Sequence, residues 1–245
     1  MHAEICYPAI YAGDGLSWRG RGMDERASEI AEGRSAWVKP LLQGDAAGRV
    51  KARLKNPSDH VPAEIGGITL SNAGREIYAW WLEARGGKPM PSAGDVDLRA
   101  LVELLPYIRY LSWEDDKRLV FRIYGSALVE GSGFDLTGHN IFGPGHAEVA
   151  IDRARLQALH AQPCGLLMIR DVYDRRGMAY PCEFMTLPLA PDADGKERVI
   201  GTVIPCELVS EWTVDVVLDR ILTLRRAVFI DTGSGVPDPA LGLGK

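Results

Sequence analysis

Six glycines fall within residues 124–145, YGSALVEGSGFDLTGHNIFGPG, directly after the apolar run LVFRI. Glycine-dense turns that follow strands are where many proteins cradle phosphates, so nucleotide chemistry is the first to test. The dinucleotide fingerprint G-x-G-x-x-G fails. Leu136 and Glu148 stand where the third glycine belongs after Gly131-Ser132-Gly133 and Gly143-Pro144-Gly145. The phosphate loop fails too, because no Gly-Lys-Ser/Thr occurs in the chain. His139 and His146 flank a Gly-Pro-Gly turn with no third metal ligand nearby, and Cys6, Cys164, Cys182 and Cys206 form no C-x-x-C pair. No serine sits in a G-x-S-x-G elbow. The sequence therefore offers no catalytic residue and no metal ligand.

Charges inside apolar runs are more informative. Arg109 lies in YIRYL and Arg122 in FRIY. A charge on the core face of a sheet is costly unless paired, so each arginine either sits on the outer sheet face or is aimed at an anionic ligand. The outer face is the expectation, because antiparallel sheets often have one wetted side. Asp171 and Glu183 also lie in strand-like runs, as the outward half of an alternating pattern or as cross-strand partners of Arg170 and Arg198.

The elements that must position these groups follow from periodicity. Residues 1–70 are interrupted by Gly, Pro and Ala and read as an extension of weak order, with a short helix near 24–32. Met23 opens a better-behaved stretch, so residues 1–22 are read as a mis-called start. In SNAGREIYAWWLEARGG, Ser71 or Asn72 caps a helix that Gly86-Gly87 stops, with Ala73, Ile77, Trp80, Trp81 and Ala84 on one stripe. Asp95 or Asp97 caps a second, short helix carrying Leu98, Leu101, Val102 and Leu105. YIRYLSW (107–113) and LVFRIY (119–124), separated by EDDKR, form a hairpin. A helix follows near 147–161, with Ala147, Ala150, Ile151, Ala154 and Ala158 on its apolar face.

The final third changes period. Residues 164–173, 179–190 and 197–208 are strand-like runs joined by short, turn-rich connectors, which force antiparallel neighbours. WTVDVVLDRILTLRRAVF is expected to form a C-terminal helix running into a short extended piece, and the end of the chain a frayed tail. The sum is an α+β domain: one antiparallel sheet of five strands with short helices on one face and flanking N- and C-terminal helices.

Composition narrows the function. At 46% hydrophobic and 25% charged, the chain is globular rather than disordered. A net charge of −5 and no Lys/Arg run longer than two residues argue against a nucleic-acid partner. No apolar run approaches the ~18–20 residues of a membrane span, and the N-terminus lacks the regions of a signal peptide. The scattered cysteines read as reduced, mostly buried thiols of a cytoplasmic protein.

A strand ending in Gly125, the short helix SALVEG, and then G-F-D-L-T-G-H-N-I-F resemble the PAS-domain pattern. The series W-W-x-x-x-R-G-G-K-x-M-P-S-x-x-D-V-D, LLP, FRIYGS and DLTG is similar to a bacterial family of stand-alone PAS proteins, over roughly residues 74–208. The resemblance implies a PAS-like domain over 71–208, with residues 209–245 as a C-terminal helix and tail. It implies that the last strand lies beside the first at the sheet centre, and that the glycines let the backbone turn tightly over the sheet. It also implies a pocket between sheet and short helices, for which Tyr110, Arg122, Tyr124, Phe142 and Met168 are the candidates.

Flavin–thiol photochemistry in that family needs a cysteine after Gly-Arg-Asn; here the stretch reads Gly138, His139, Asn140, Ile141, Phe142, so it is not expected. Haem-binding members use a histidine of the long helix. His160, the candidate, lies about 140° from the centre of the predicted stripe at ~100° per residue and is expected at the surface. The cofactor stays unassigned. The stripe of Ile77, Trp80 and Trp81 predicts a homodimer with this helix in the interface. The expected function is a non-enzymatic sensory module that binds a small molecule, a separate signalling protein, or both. A small α+β enzyme using the sheet–helix cavity and a ligand-free interaction scaffold are the alternatives.

Overall fold

Gly66 and Gly67, at φ 55° and 75°, turn the chain between two short strands, β1 (Glu64–Ile65) and β2 (Ile68–Thr69). A two-residue hairpin loop with both residues at positive φ is a place for Gly-Gly. The computed structural model describes residues 61–132, 135–142, 147–174, 179–191, 193–206, 218–238 and 241. Val61, Ile68 and Leu70 are buried, so the segment from 61 onward belongs to the folded unit and not to a weakly ordered extension. The expectations for residues 1–60, including the start at Met23, lie outside the described residues.

Helix α1 (Asn72–Ala84) starts where capping places it, with the Ser71 hydroxyl accepting from the Gly74 N–H at 2.9 Å. Residues 93–107 are not the expected helix. A 3-10 turn at Ala93–Asp95 and another at Leu105–Tyr107 bracket a series of i→i+3 bonds. Asp97 spends its carboxylate on the N–H and guanidinium of Arg99, a local alternative that competes with helix. Val102, assigned to the apolar face, is exposed, whereas Leu101 and Leu104 are buried.

The main sheet contains β3 (Ile108–Asp115), β4 (Arg118–Tyr124), β5 (Cys164–Asp174), β6 (Ala179–Leu189), β7 (Arg198–Pro205) and β8 (Leu218–Asp231) in the order β4-β3-β7-β6-β5-β8. Every pairing between its strands is antiparallel. The five expected strands are present, with the last beside the first at the centre. The sixth, β8, stands from Leu218 on where a C-terminal helix was expected, and residues 207–217 lie outside the described residues. It pairs with β5 from Cys164↔Asp231 to Asp174↔Leu218. An edge strand there satisfies backbone groups that β5 would otherwise leave open, and the β-branched and aromatic Val228, Phe229 and Ile230 suit a pleated surface.

Both faces of the sheet are covered. On the outer face α1 packs on β6 and β7. On the inner face α3 (Ala147–Ala161) packs on β5 and β6, while α2 (Ser126–Ser132) follows β4 directly. β6, at the centre, is buried along nearly its whole length from Cys182 to Leu189. The face α3 turns inward differs from the alanine stripe: Arg155, Leu156 and Leu159 are buried, and Ile151 is exposed. Alanines bring little apolar area, so the two leucines and an ion-paired arginine set the helix rotation.

Candidate functional site

Strand alternation sorts the inner face from the outer. The inner cluster contains Leu111, Trp113, Leu119, Phe121, Phe142, Met168 and Phe184. One row of registered residues crosses it: Tyr124 opposite Arg109, Arg109 opposite Gly201, Gly201 opposite Thr186, and Thr186 opposite Leu166. Directly opposite residues share a face, so Arg109 is on the inner side, against expectation. Its guanidinium crosses the position of Gly201, where no side chain stands, and donates to the Thr186 hydroxyl. It also lies 5.1 Å above the Phe184 ring. Arg109 is 5% exposed and its Nε has no acceptor among the described residues.

A buried cation of this kind is held only with difficulty. Burial, reinforced by the nearby positive charge of Arg170, pulls the Arg109 guanidinium down to about 10. Arg170 itself donates to Asp152 of α3, and Arg155 donates to the same carboxylate at 2.8 Å. Asp152 is thus divided between two arginines, while Arg109 has a hydroxyl and a ring face. At the other end of the inner face, Trp113 stacks on Phe142 with ring centroids 5.7 Å apart, and its Nε1 also has no acceptor among the described residues. Arg153 of α3 lies over that Phe142 ring at 5.2 Å. The sheet's own inner surface thus carries Arg109 and Arg170 toward one end and Trp113 at the other, with Arg153 covering the aromatic end from the helix.

The segment carrying Phe142 is tied to β4. Gly138 N–H donates to Phe121 C=O at 2.8 Å and Ile141 N–H to Leu119 C=O at 2.8 Å, while the Asn140 side chain accepts from Leu119 N–H at 3.0 Å. At its start, a Cβ on Gly125 would lie 2.3 Å from the Pro106 carbonyl oxygen. Glycine there permits a close approach of backbone to backbone, which is the architectural role expected of it. Residues 133–134 and 143–146 of the same segment lie outside the described residues.

Of the five pocket candidates, the structure brings three together. Phe142 and Met168 belong to the inner cluster and Tyr124 packs against it, edge-on to Phe121 at 5.1 Å. Tyr110 alternates to the outer face. Arg122 is exposed and pairs with Glu114, which Lys196 also contacts. The β-bulge that separates Tyr110↔Ile123 from Leu111↔Phe121 leaves Arg122 outside the register. Arg109, expected on the outer face, and Arg170, expected as a cross-strand partner of a carboxylate, join this face instead, and Asp152, Thr186 and Phe184 were not singled out by the sequence. His160 is also not a surface residue: its side chain is 3% exposed and Nε2 donates to the Arg198 carbonyl at 2.9 Å.

The interface candidates change role. Ile77 and Trp81 are fully buried within one chain and Trp80 is half-buried. Trp81 Nε1 donates to the Pro188 carbonyl of β6 at 2.7 Å, so the stripe is core between α1 and its own sheet.

Glu183 holds the other end of α1. Its carboxylate accepts from the Ser71 N–H at 2.6 Å and from the Ser71 hydroxyl at 2.8 Å. Asp171, also on the outer face, pairs with Arg225 at 2.7 Å. Burial pushes the Glu183 carboxyl up, and the two bonds from Ser71 oppose that rise. A carboxyl raised above its unfolded value, near 4.5, stabilises the fold when protonated. That contribution is complete below the unfolded value and is lost as pH rises through the folded one. The wild type is therefore expected to lose melting temperature with rising pH just above about 4.5, and Glu183→Gln to flatten that slope. Parallel melting profiles for the two proteins would show that Glu183 does not carry this dependence.

A central antiparallel sheet in this order, with short helices and the 135–142 segment closing one face, is the architecture of a small sensory domain. Residues 70–204, more than half of the chain, match the family model described as PAS domain, and the chain belongs to that family. Among solved structures it is similar to a fungal LOV domain photoreceptor at 14% identity and a TM-score of 0.31, over 46% of this chain and 94% of that one. No curated protein matches the chain. Among the described residues, no helix is long and apolar enough to cross a membrane.

Proposed function

We propose that this PAS domain is a non-enzymatic sensory module that takes a small molecule between its sheet and the α2–α3 side, and relays occupancy to a separate protein. The observation that carries the reading is a group of buried donors at the inner face, Arg109 Nε, Trp113 Nε1 and Arg153 Nε, that lack acceptors among the described residues. Buried donors are nearly always paired, and a face built for stability alone would use apolar side chains here. A relay is supported by β6, which alternates between Phe184 and Thr186 on the inner side and Glu183 and the Pro188 carbonyl under α1. The buried thiols of Cys164 and Cys182, each pushed up to about 12 by burial, are unreactive core groups and take no part in this reading.

The test is a thermal-shift screen of small metabolites on the wild type and on Met168→Trp, which crowds the inner cluster. Compounds that raise the wild-type melting temperature and leave the variant unmoved support the reading. Equal shifts in both proteins would place binding elsewhere.

A further inference from the structure

We infer that the inner site takes a carboxylate on an apolar body, with Arg109 as its anchor and the Trp113–Phe142 end receiving the body; this rests on the small-molecule reading above. Three features converge on it. The first is charge. Arg170 and Arg155 share Asp152, whereas Arg109 is 5% exposed, donates to the Thr186 hydroxyl and has an Nε without a partner among the described residues. A buried guanidinium that no carboxylate contacts among the described residues is the arrangement a single negative charge completes, and a carboxylate matches its fork.

The second feature is access across the sheet. Arg109, Gly201 and Thr186 stand opposite one another on three neighbouring strands. The bare position at Gly201 lets the guanidinium lie along the sheet surface, with Thr186 fixing its orientation. The third feature is polarity along β3. Two residues beyond Arg109 on the same face comes Leu111, and two beyond that Trp113, against Leu119, Phe121, Phe142 and Val199. The strand rise puts roughly 13 Å between the Arg109 and Trp113 positions. That length accepts a medium alkyl or arylalkyl chain and leaves its far end against aromatic rings. Among the described residues Arg109 is the cation of the inner sheet surface that no carboxylate contacts, while Arg170 is held by Asp152 and Arg153 of α3 lies over the Phe142 ring. A single guanidinium fork matches one carboxylate, whereas a phosphate dianion would call for more donors than Arg109 provides.

The experiment uses the full chain and octanoate as probe, with octanol and octanamide as neutral counterparts of the same length. Binding is followed by titration calorimetry and by melting temperature. The expected result is that octanoate binds the wild type at least tenfold more tightly than either neutral compound. In Arg109→Met that preference disappears and octanoate falls to the level of octanol, while Arg109→Lys retains part of it. Without ligand, Arg109→Met should melt at or above the wild-type temperature, because an incompletely paired buried charge is removed. Should Arg109→Met fail to fold, the wild-type ratio of octanoate to octanol decides alone. If octanol binds as tightly as octanoate, the anionic class is wrong and the small-molecule reading stands. If none of the three binds, the apolar carboxylate is overturned; a bare chain by native mass spectrometry would then overturn the small-molecule reading as well.

Discussion

Trp81→Ala is expected to cost about 3–5 kcal/mol of folding stability, the range for truncating a large buried aromatic. The indole is fully buried between α1 and β6, and its N–H satisfies the Pro188 carbonyl at 2.7 Å. Truncation leaves a cavity and an orphaned acceptor together. Since small domains hold only about 5–15 kcal/mol, the variant should unfold at markedly lower denaturant. Trp80→Ala, at a half-buried position, should cost far less. Chemical denaturation measures both, and light scattering should find the association state of folded Trp81→Ala unchanged from the wild type. A change of association without loss of stability would return Trp81 to an interface.

Gly201→Ala is the second large effect. A Cβ built there lies 1.8 Å from the Met185 carbonyl oxygen and 3.1 Å from the Thr186 Cα. These are backbone atoms of the neighbouring strand, so no rotamer change relieves the contact and β6 must move away from β7. We expect a loss of about 3 kcal/mol, the upper end of overpacking costs, together with disruption of the Arg109–Thr186 bond that crosses this position. Denaturation reports the first and loss of octanoate preference the second. A Gly201→Ala protein with wild-type stability would mean that the row across β3, β7 and β6 is looser than described.

The strands of the sheet were legible because their runs alternate or are β-branched and end in turn residues. β8 was not, because ILTLRRAVFI has apolar residues at both parities and fits either period. Helix α3 was legible in extent but not in rotation, since its alanine stripe carried less area than Leu156 and Leu159. The side taken by Arg109 was hidden for a related reason. In IRYLSW both parities carry large apolar side chains, Ile108 and Tyr110 on one and Leu111 and Trp113 on the other. What decides the matter is Gly201 opposite and Thr186 one strand further, residues more than seventy positions away in sequence. The two tryptophans were visible as a stripe, but the sequence did not say that β6 would cover Trp81.

The most direct test of the account is native mass spectrometry of the full chain purified from its own host, compared with the same sample after denaturation. The account predicts an added mass of a small organic acid on the native protein, released on denaturation and absent from Arg109→Met made in the same host. A native mass equal to that of the bare chain, unchanged after incubation with the host's small-molecule extract, would contradict it.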